Sequence, residues 1–382
     1  MANSSGEVQE VQTVMVQEEE AHPYAFHVSG PRNVASPNWR DLISSSWKNE
    51  NYKRTVFSCF IQAVYLLEVD RQENRTEENA LAPNWWRSFK YKLTQTLIDE
   101  RDGSIFGAVL EWDRTAALAD MVLIRPSGAP KAVLALRGTI LKGPTIRRDI
   151  EDDLRFLAWE SLKGSVRFKV ALEALRSVAE MYGSSNVCVA GHSLGAGFAL
   201  QVGKALAKEG MYVEAHLFNP PCVSMAMSLR NMGERAGFAW KRFKSMLPSS
   251  SETQAISDEG EKANTVGLRN WIPLLGYKTS MGLKNWVPNL YVNNSDYICC
   301  SYTDADGTED KEADKENTGS ANGQVAAKLF VMSKGKQKFL EAHGLEQWWS
   351  DDVQLQQALH NSKLMSRQLK SLYTVPASQP TQ

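Results

Sequence analysis

The sequence predicts an α/β fold, a mostly parallel central sheet covered by helices on both faces. Three observations carry that expectation. Short apolar runs bounded by turn residues alternate with helical periodicity through the middle of the chain. Val187-Cys188-Val189-Ala190 is apolar at every position, as a strand covered on both faces requires. The longest helical stretches put apolar residues on one stripe only, which is how a helix lies against a sheet.

In chain order, residues 1–22 are polar and acidic without sustained period, so a disordered tail is expected. Val56, Phe60, Ile61, Val64 and Leu67 recur at helical spacing. Ile105–Trp112, Met121–Ile124 and Ala132–Leu136 read as strands, separated by Asp113 and by Ser127-Gly128-Ala129-Pro130. Phe168, Ala171, Leu172, Leu175, Val178, Ala179 and Tyr182 step by three and four, and Gly183 follows as a C-cap. After the 187–190 strand a second helix carries Phe198, Val202, Ala205 and Leu206 and ends at Gly210. Tyr212–Phe218 is the next strand, closed by Asn219-Pro220-Pro221, and Leu290-Tyr291-Val292 the one after. Leu355–His360 reads as a polar helix, and residues 374–382 as a second disordered tail. The organisation expected is one domain over 50–373 with two insertions. Residues 222–285 mix Met and aromatic residues with Arg and Lys, which suits a helical cap beside a site. Residues 303–324 hold seven acids against two lysines, the composition of an exposed loop.

Composition narrows the function classes. Hydrophobic residues make up 43% and charged residues 23%, which excludes a disordered chain and a membrane bundle. Lys and Arg number 43 against 44 Asp and Glu, so no global basic charge favours nucleic acid. The five cysteines form no C-x-x-C pair, which argues against a zinc ribbon and for a reducing compartment. No signal peptide or membrane-spanning run is read, so a cytoplasmic protein is expected, with peripheral contact to a lipid surface open. Asp149, Glu151, Asp152 and Asp153 read as the acidic start of a helix rather than a metal site, and no cofactor or metal is expected.

The chemistry centres on Gly191-His192-Ser193-Leu194-Gly195. This G-x-S-x-G block lies between an expected strand and an expected helix, the context of a nucleophile elbow. Glycines two residues either side let the chain turn sharply under an exposed hydroxyl. A serine needs a base, and the base needs an acid to orient it. In the α/β-hydrolase order Ser, acid, His, only His343 and His360 follow the serine far enough along. His343, in a helix exit, is preferred to His360. Asp296, in the turn after the 290–292 strand, is the leading acid, with Asp258, Asp304, Asp306 and Asp310 behind it in polar stretches. An oxyanion hole would take the Leu194 N–H and a donor from Leu136-Arg137-Gly138-Thr139.

Those blocks, with Ser295-Asp296 and Ala342-His343-Gly344-Leu345-Glu346-Gln347-Trp348-Trp349, resemble the class 3 (fungal-type) lipases, and the Trp-rich segment a plant lipase-like branch. The resemblance spans about residues 50–350. It implies an α/β-hydrolase fold, hydrolysis of acyl-lipid esters, and oxyanion donors at Thr139 and Leu194. The chain departs from the pattern at Asn219-Pro220-Pro221, where many relatives have Gly-x-Pro-Arg, and around Asp296. The branch has carried a GDSL label, yet no Gly-Asp-Ser-Leu block occurs. Two alternatives remain beside the lipase or esterase expectation: a catalytically silent lipase-like interaction protein, and an acyltransferase or thioesterase using the same triad.

Overall fold

The computed structural model describes residues 22–32, 34, 36, 37, 40, 46–76, 78–140, 166–221, 283, 285–302, 327–350 and 355–360. Its frame is an eight-stranded sheet whose spatial order follows the chain: β1 (Tyr91–Ile98), β2 (Ile105–Trp112), β3 (Ala132–Leu136), β4 (Val187–His192), β5 (Glu214–Phe218), β6 (Asn289–Asn293), β7 (Ala327–Met332) and β8 (Leu355–His360). Strands β3 to β7 pair in parallel. The flanks, β1 to β3 and β7 to β8, are antiparallel, so the sheet is mixed, with its parallel part in the middle.

Helices cover both faces: α1 (Phe26–Ser29), α2 (Glu50–Gln72), α3 (Asn84–Arg87), α4 (Arg114–Ala119), α5 (Val166–Tyr182), α6 (Leu194–Lys208) and α7 (Phe339–His343). The strand period of two sorts the core. Ala132, Leu134 and Leu136 of β3 join the cluster under α5 and α6. Val133 and Ala135 join the opposite cluster, under α2 and α3. Asn49 caps α2, its side chain accepting from the Asn51 and Tyr52 N–H groups at 2.8 and 3.3 Å. The far end of α2 is tied down by charge. Glu68 accepts the Ile105 N–H at 2.8 Å, and Asp70 accepts the Leu81 and Ala82 N–H groups at 3.0 Å. Burying these carboxylates is tolerable because each is hydrogen-bonded.

Two expectations are corrected, and two strands are added. Leu355–His360 is the edge strand β8, pairing with β7, and not a helix. Leu, Gln and Ala favour a helix locally, but the free edge of β7 offers a full ladder of backbone partners. Met121–Ile124 is an irregular segment rather than a strand: Met121, at φ 61°, turns the chain, and Met121, Leu123 and Ile124 are exposed. Strands β1 and β7 were not anticipated. β1 is an edge strand whose middle, Thr94 and Gln95 among it, faces solvent and carries no apolar run. The expected tails 1–22 and 374–382, the cap 222–285 and the loop 303–324 lie outside the described residues, apart from His22, Leu283 and Asn285, as do Asp149, Glu151, Asp152 and Asp153.

Candidate active site

Parallel strands deliver their connecting loops to one end of the sheet, the end where α/β proteins bind ligands. Four loops meet at the carboxyl ends of β3, β4, β5 and β6, and α7 closes over them.

Ser193 sits between β4 and α6 at φ 53° and ψ −123°, a backbone conformation that a residue with a Cβ rarely adopts. Its N–H donates to the Phe218 carbonyl at 2.9 Å, and its carbonyl accepts from Ala196 at 2.9 Å. Neither Gly191 nor Gly195 has room for a Cβ. One at 191 would run into the Gly195 backbone, and one at 195 into Leu136 and Arg137 at the end of β3. The serine turn is therefore wedged against the strand carrying Gly138 and Thr139. A Cβ on Gly138 would lie 2.9 Å from the Ser193 Cβ. Leu194 opens α6, so its N–H has no acceptor within the helix. Thr139 and Leu194 both line one cavity of about 550 Å³.

Asp296 and His343 come together. The His343 Nδ1–H donates to Asp296 Oδ2 at 2.8 Å, with Asp296 fully buried and His343 1% exposed. The same Oδ2 receives Asn219 Nδ2–H at 2.6 Å and Cys299 Sγ–H at 3.2 Å, and Oδ1 receives the Ile298 N–H at 3.0 Å. Burial pushes the Asp296 carboxyl upward, but His343 and these donors outweigh it and hold the group below its ordinary value. The His343 ring stacks on Phe339 at 5.2 Å. His360 ends β8, opposite Ala327 of β7. Asp258, Asp304, Asp306 and Asp310 lie outside the described residues.

A buried chain of hydrogen bonds ties the serine turn to the histidine. The His343 carbonyl can only accept, so His192 Nε2 donates to it at 2.8 Å and His192 Nδ1 is left as an acceptor. Tyr65 OH donates to that Nδ1 at 2.9 Å and accepts the Gly138 N–H at 2.8 Å. Every direction in the chain is thereby fixed. Burial, with repulsion from His343, lowers His192 to about 3, which keeps it neutral. The chain brings the His192 and His343 rings to 5.0 Å beside Ser193.

Sequence reasoning missed Asn219 and Tyr65 as parts of this site. Asn219, at φ 46°, donates to Asp296, donates to the Ala342 carbonyl at 3.1 Å, and accepts Trp348 Nε1–H at 2.6 Å. Its signal is the departure at Asn219-Pro220-Pro221, which the sequence shows as a strand stop and a break in the family pattern without pointing to a role. Tyr65 lies within the apolar periodicity of α2 and gives no signal in one dimension.

The fold and this cluster define an α/β protein with a strained serine at the carboxyl end of its sheet. No family model matches the sequence. The chain is 30% identical over 370 residues to a GDSL esterase/lipase of Arabidopsis thaliana, covering 88% of this chain and 98% of that protein. By that identity and coverage the chain belongs to the same esterase/lipase family. The GDSL label is not matched by a Gly-Asp-Ser-Leu block here; the serine block is Gly191–Gly195.

Proposed function

We propose that this protein is a serine carboxylic-ester hydrolase acting on acyl lipids, with the α/β-hydrolase fold and the active-site pattern of the class 3 lipases. The observation that carries the reading is the strained Ser193 turn beside the 2.8 Å His343–Asp296 pair. With Nδ1 donating to Asp296, His343 Nε2 keeps its lone pair and acts as base. It takes the Ser193 proton as Oγ attacks the acyl carbon. The Leu194 and Thr139 N–H groups receive the oxyanion. His343 then returns the proton to the leaving alcohol, and a water activated by the same imidazole releases the acid. Membership of an esterase/lipase family supports the reaction class, and the site supports its assignment to these residues. Cys59, Cys188 and Cys299 are buried free thiols, which favours a reducing, cytoplasmic setting.

The test is covalent labelling by a fluorophosphonate probe together with turnover of 4-nitrophenyl esters from short to long acyl chains. Labelling and hydrolysis, both abolished in Ser193→Ala, support the reading. A purified, folded protein that neither labels nor turns over any ester in the panel overturns it.

A further inference from the structure

The cavity that Thr139 and Leu194 line has a second wall built of cations: Arg101, Arg137 and Arg167. Arg137 is the unusual one. It is only 7% exposed, and its Nε and Nη1 donate to two neutral carbonyls, of Ile105 at 2.6 Å and Gly138 at 2.7 Å. Among the described residues no carboxylate pairs with it, because those nearby are held by other arginines. Glu68 is bound by Arg71 at 2.6 Å. Asp99 is shared by Arg101 at 2.7 Å and Arg167 at 2.6 Å. Asp102 lies 3.9 Å from Arg167. Among the described residues, then, Arg71, Arg101 and Arg167 engage these carboxylates directly, while the buried Arg137 engages only carbonyls. Burial lowers its pKa, and Arg167 adds to this, while Tyr65, Glu68 and Asp102 act in the opposite direction without reversing it. A buried cation without a counter-ion is costly, and a planar guanidinium fork is suited to oxyacid anions.

We infer that this cavity is a subsite for an anionic oxygen group, phosphate or carboxylate, carried by the ester substrate. The inference rests on the ester-hydrolase reading for the word substrate. Thr139 and Leu194, the residues that supply the oxyanion donors in that reading, line the same cavity, and Leu194 directly follows Ser193, so an anion seated there and a carbonyl at Ser193 would belong to one molecule. Glu68 and Asp102 also line the cavity, and their engagement with Arg71 and Arg167 leaves Arg137 to meet the incoming charge.

The experiment measures binding to Ser193→Ala, which cannot turn the ligand over. Two matched pairs separate the sources of the anion. Dihexanoyl phosphatidic acid against dihexanoylglycerol places it on the alcohol side, and monobutyl glutarate against butyl methyl glutarate on the acyl side. The anionic member of at least one pair should bind about tenfold more tightly than its neutral match, a difference of about 1.4 kcal/mol. Adding Arg137→Gln should cut that preference to below about threefold. Arg137→Lys, which keeps the charge and loses the fork, should fall between and serves if the Gln variant does not fold. Equal binding within both pairs overturns the inference. So does an equal loss on charged and neutral members in the Arg137 variants, which would make Arg137 a support for the turn alone. If wild-type protein fails the fluorophosphonate test while the Arg137-dependent preference holds, the hydrolase reading falls and the anion site stands.

Discussion

Two histidine–carboxylate pairs lie toward opposite ends of the parallel strands, one with a part-exposed glutamate and one fully buried, and only the buried one is arranged for chemistry. Near the amino ends, His216 Nε2 meets Glu214 at 3.0 Å while its Nδ1 meets Tyr291 OH at 3.0 Å. The Phe57 ring packs over it at 4.2 Å, and Lys53 takes the same Glu214 oxygen at 2.8 Å. Both ring nitrogens are used. At the carboxyl ends, His343 meets Asp296 at 2.8 Å through Nδ1, and among the described residues its ring makes no other hydrogen bond. Its ring lies 5.0 Å from that of His192, the residue that precedes a serine held at positive φ. A short His–carboxylate contact therefore says little by itself. What distinguishes a catalytic candidate is the nitrogen left open and the strained group beside it.

The sharpest way to break this comparison is to exchange the consequences of losing each side. Ser193→Ala or His343→Ala should lower ester turnover by about a thousandfold or more, since a nucleophile and its base act as a unit. His216→Gln should leave turnover within about threefold and lower the melting temperature, because it disturbs a saturated cluster in the core. If His216→Gln proves as damaging to kcat as His343→Ala at equal folded content, the distinction between open and saturated pairs fails.

The next largest effect is expected at Asn219, the residue that makes the carboxyl-end pair rigid. Asn219→Ala removes a donor to Asp296 and leaves Trp348 Nε1–H without its acceptor. Turnover should drop by about 10- to 100-fold, and stability by about 1–3 kcal/mol for the stranded buried group. Asn219→Asp should be worse in kcat, since a second carboxylate against Asp296 raises the pKa of the pair. Kinetics and chemical denaturation on both variants check this. A kcat near wild type in Asn219→Asp removes Asn219 from the site.

Tyr65 tests whether the serine turn and the histidine are coupled through His192. Tyr65→Phe keeps the ring in the core and removes one hydroxyl, leaving the Gly138 N–H and His192 Nδ1 without partners. A loss of about 3- to 30-fold in kcat with KM little changed is expected, because the proposed oxyanion donors and the proposed base lose a common reference. A change confined to melting temperature would make the chain structural only.

Much of this was legible in one dimension, for identifiable reasons. Strands β2, β3, β4, β5 and β6 are apolar runs closed by turn residues, and α5 and α6 have strong period. Ser193, Asp296 and His343 stand where short motifs or strand ends mark them, and the structure gathers them at one end of the sheet. What stayed hidden is non-local. β8 reads as helix because its residues prefer one, and only the edge of β7 makes it a strand. Asn219 looked like a terminator since the partners of its side chain, Asp296, Cys299, Ala342 and Trp348, lie 77, 80, 123 and 129 residues away. Arg137 was visible as part of the Thr139 block, but that no carboxylate among the described residues pairs with it depends on distant contacts, such as Asp99 binding Arg101 and Arg167.

The smallest expected effect lies in the acid titration of the amino-end cluster. Burial alone would raise Glu214, yet His216 and Lys53 together hold it well below its ordinary value of 4.5, and Lys53 is raised above 10.5. The folded protein binds fewer protons at Glu214 than the unfolded chain as pH falls below that ordinary value. The stability contributed by Glu214 is therefore fully present above about pH 4.5, and it declines as acid approaches the depressed folded value. Lys53 behaves oppositely at the other extreme, contributing below 10.5 and losing its share as pH rises past the raised folded value. Glu214 is 38% exposed in its side chain, so solvent screens part of the interaction and the effect is a matter of slope, not of collapse. Melting temperature followed from pH 6 to pH 3 should fall less steeply in Glu214→Gln than in wild type, while turnover at neutral pH stays within about threefold. Identical acid slopes in the two proteins would mean that the cluster contributes nothing by charge and holds its place through packing against Phe57 and Tyr291.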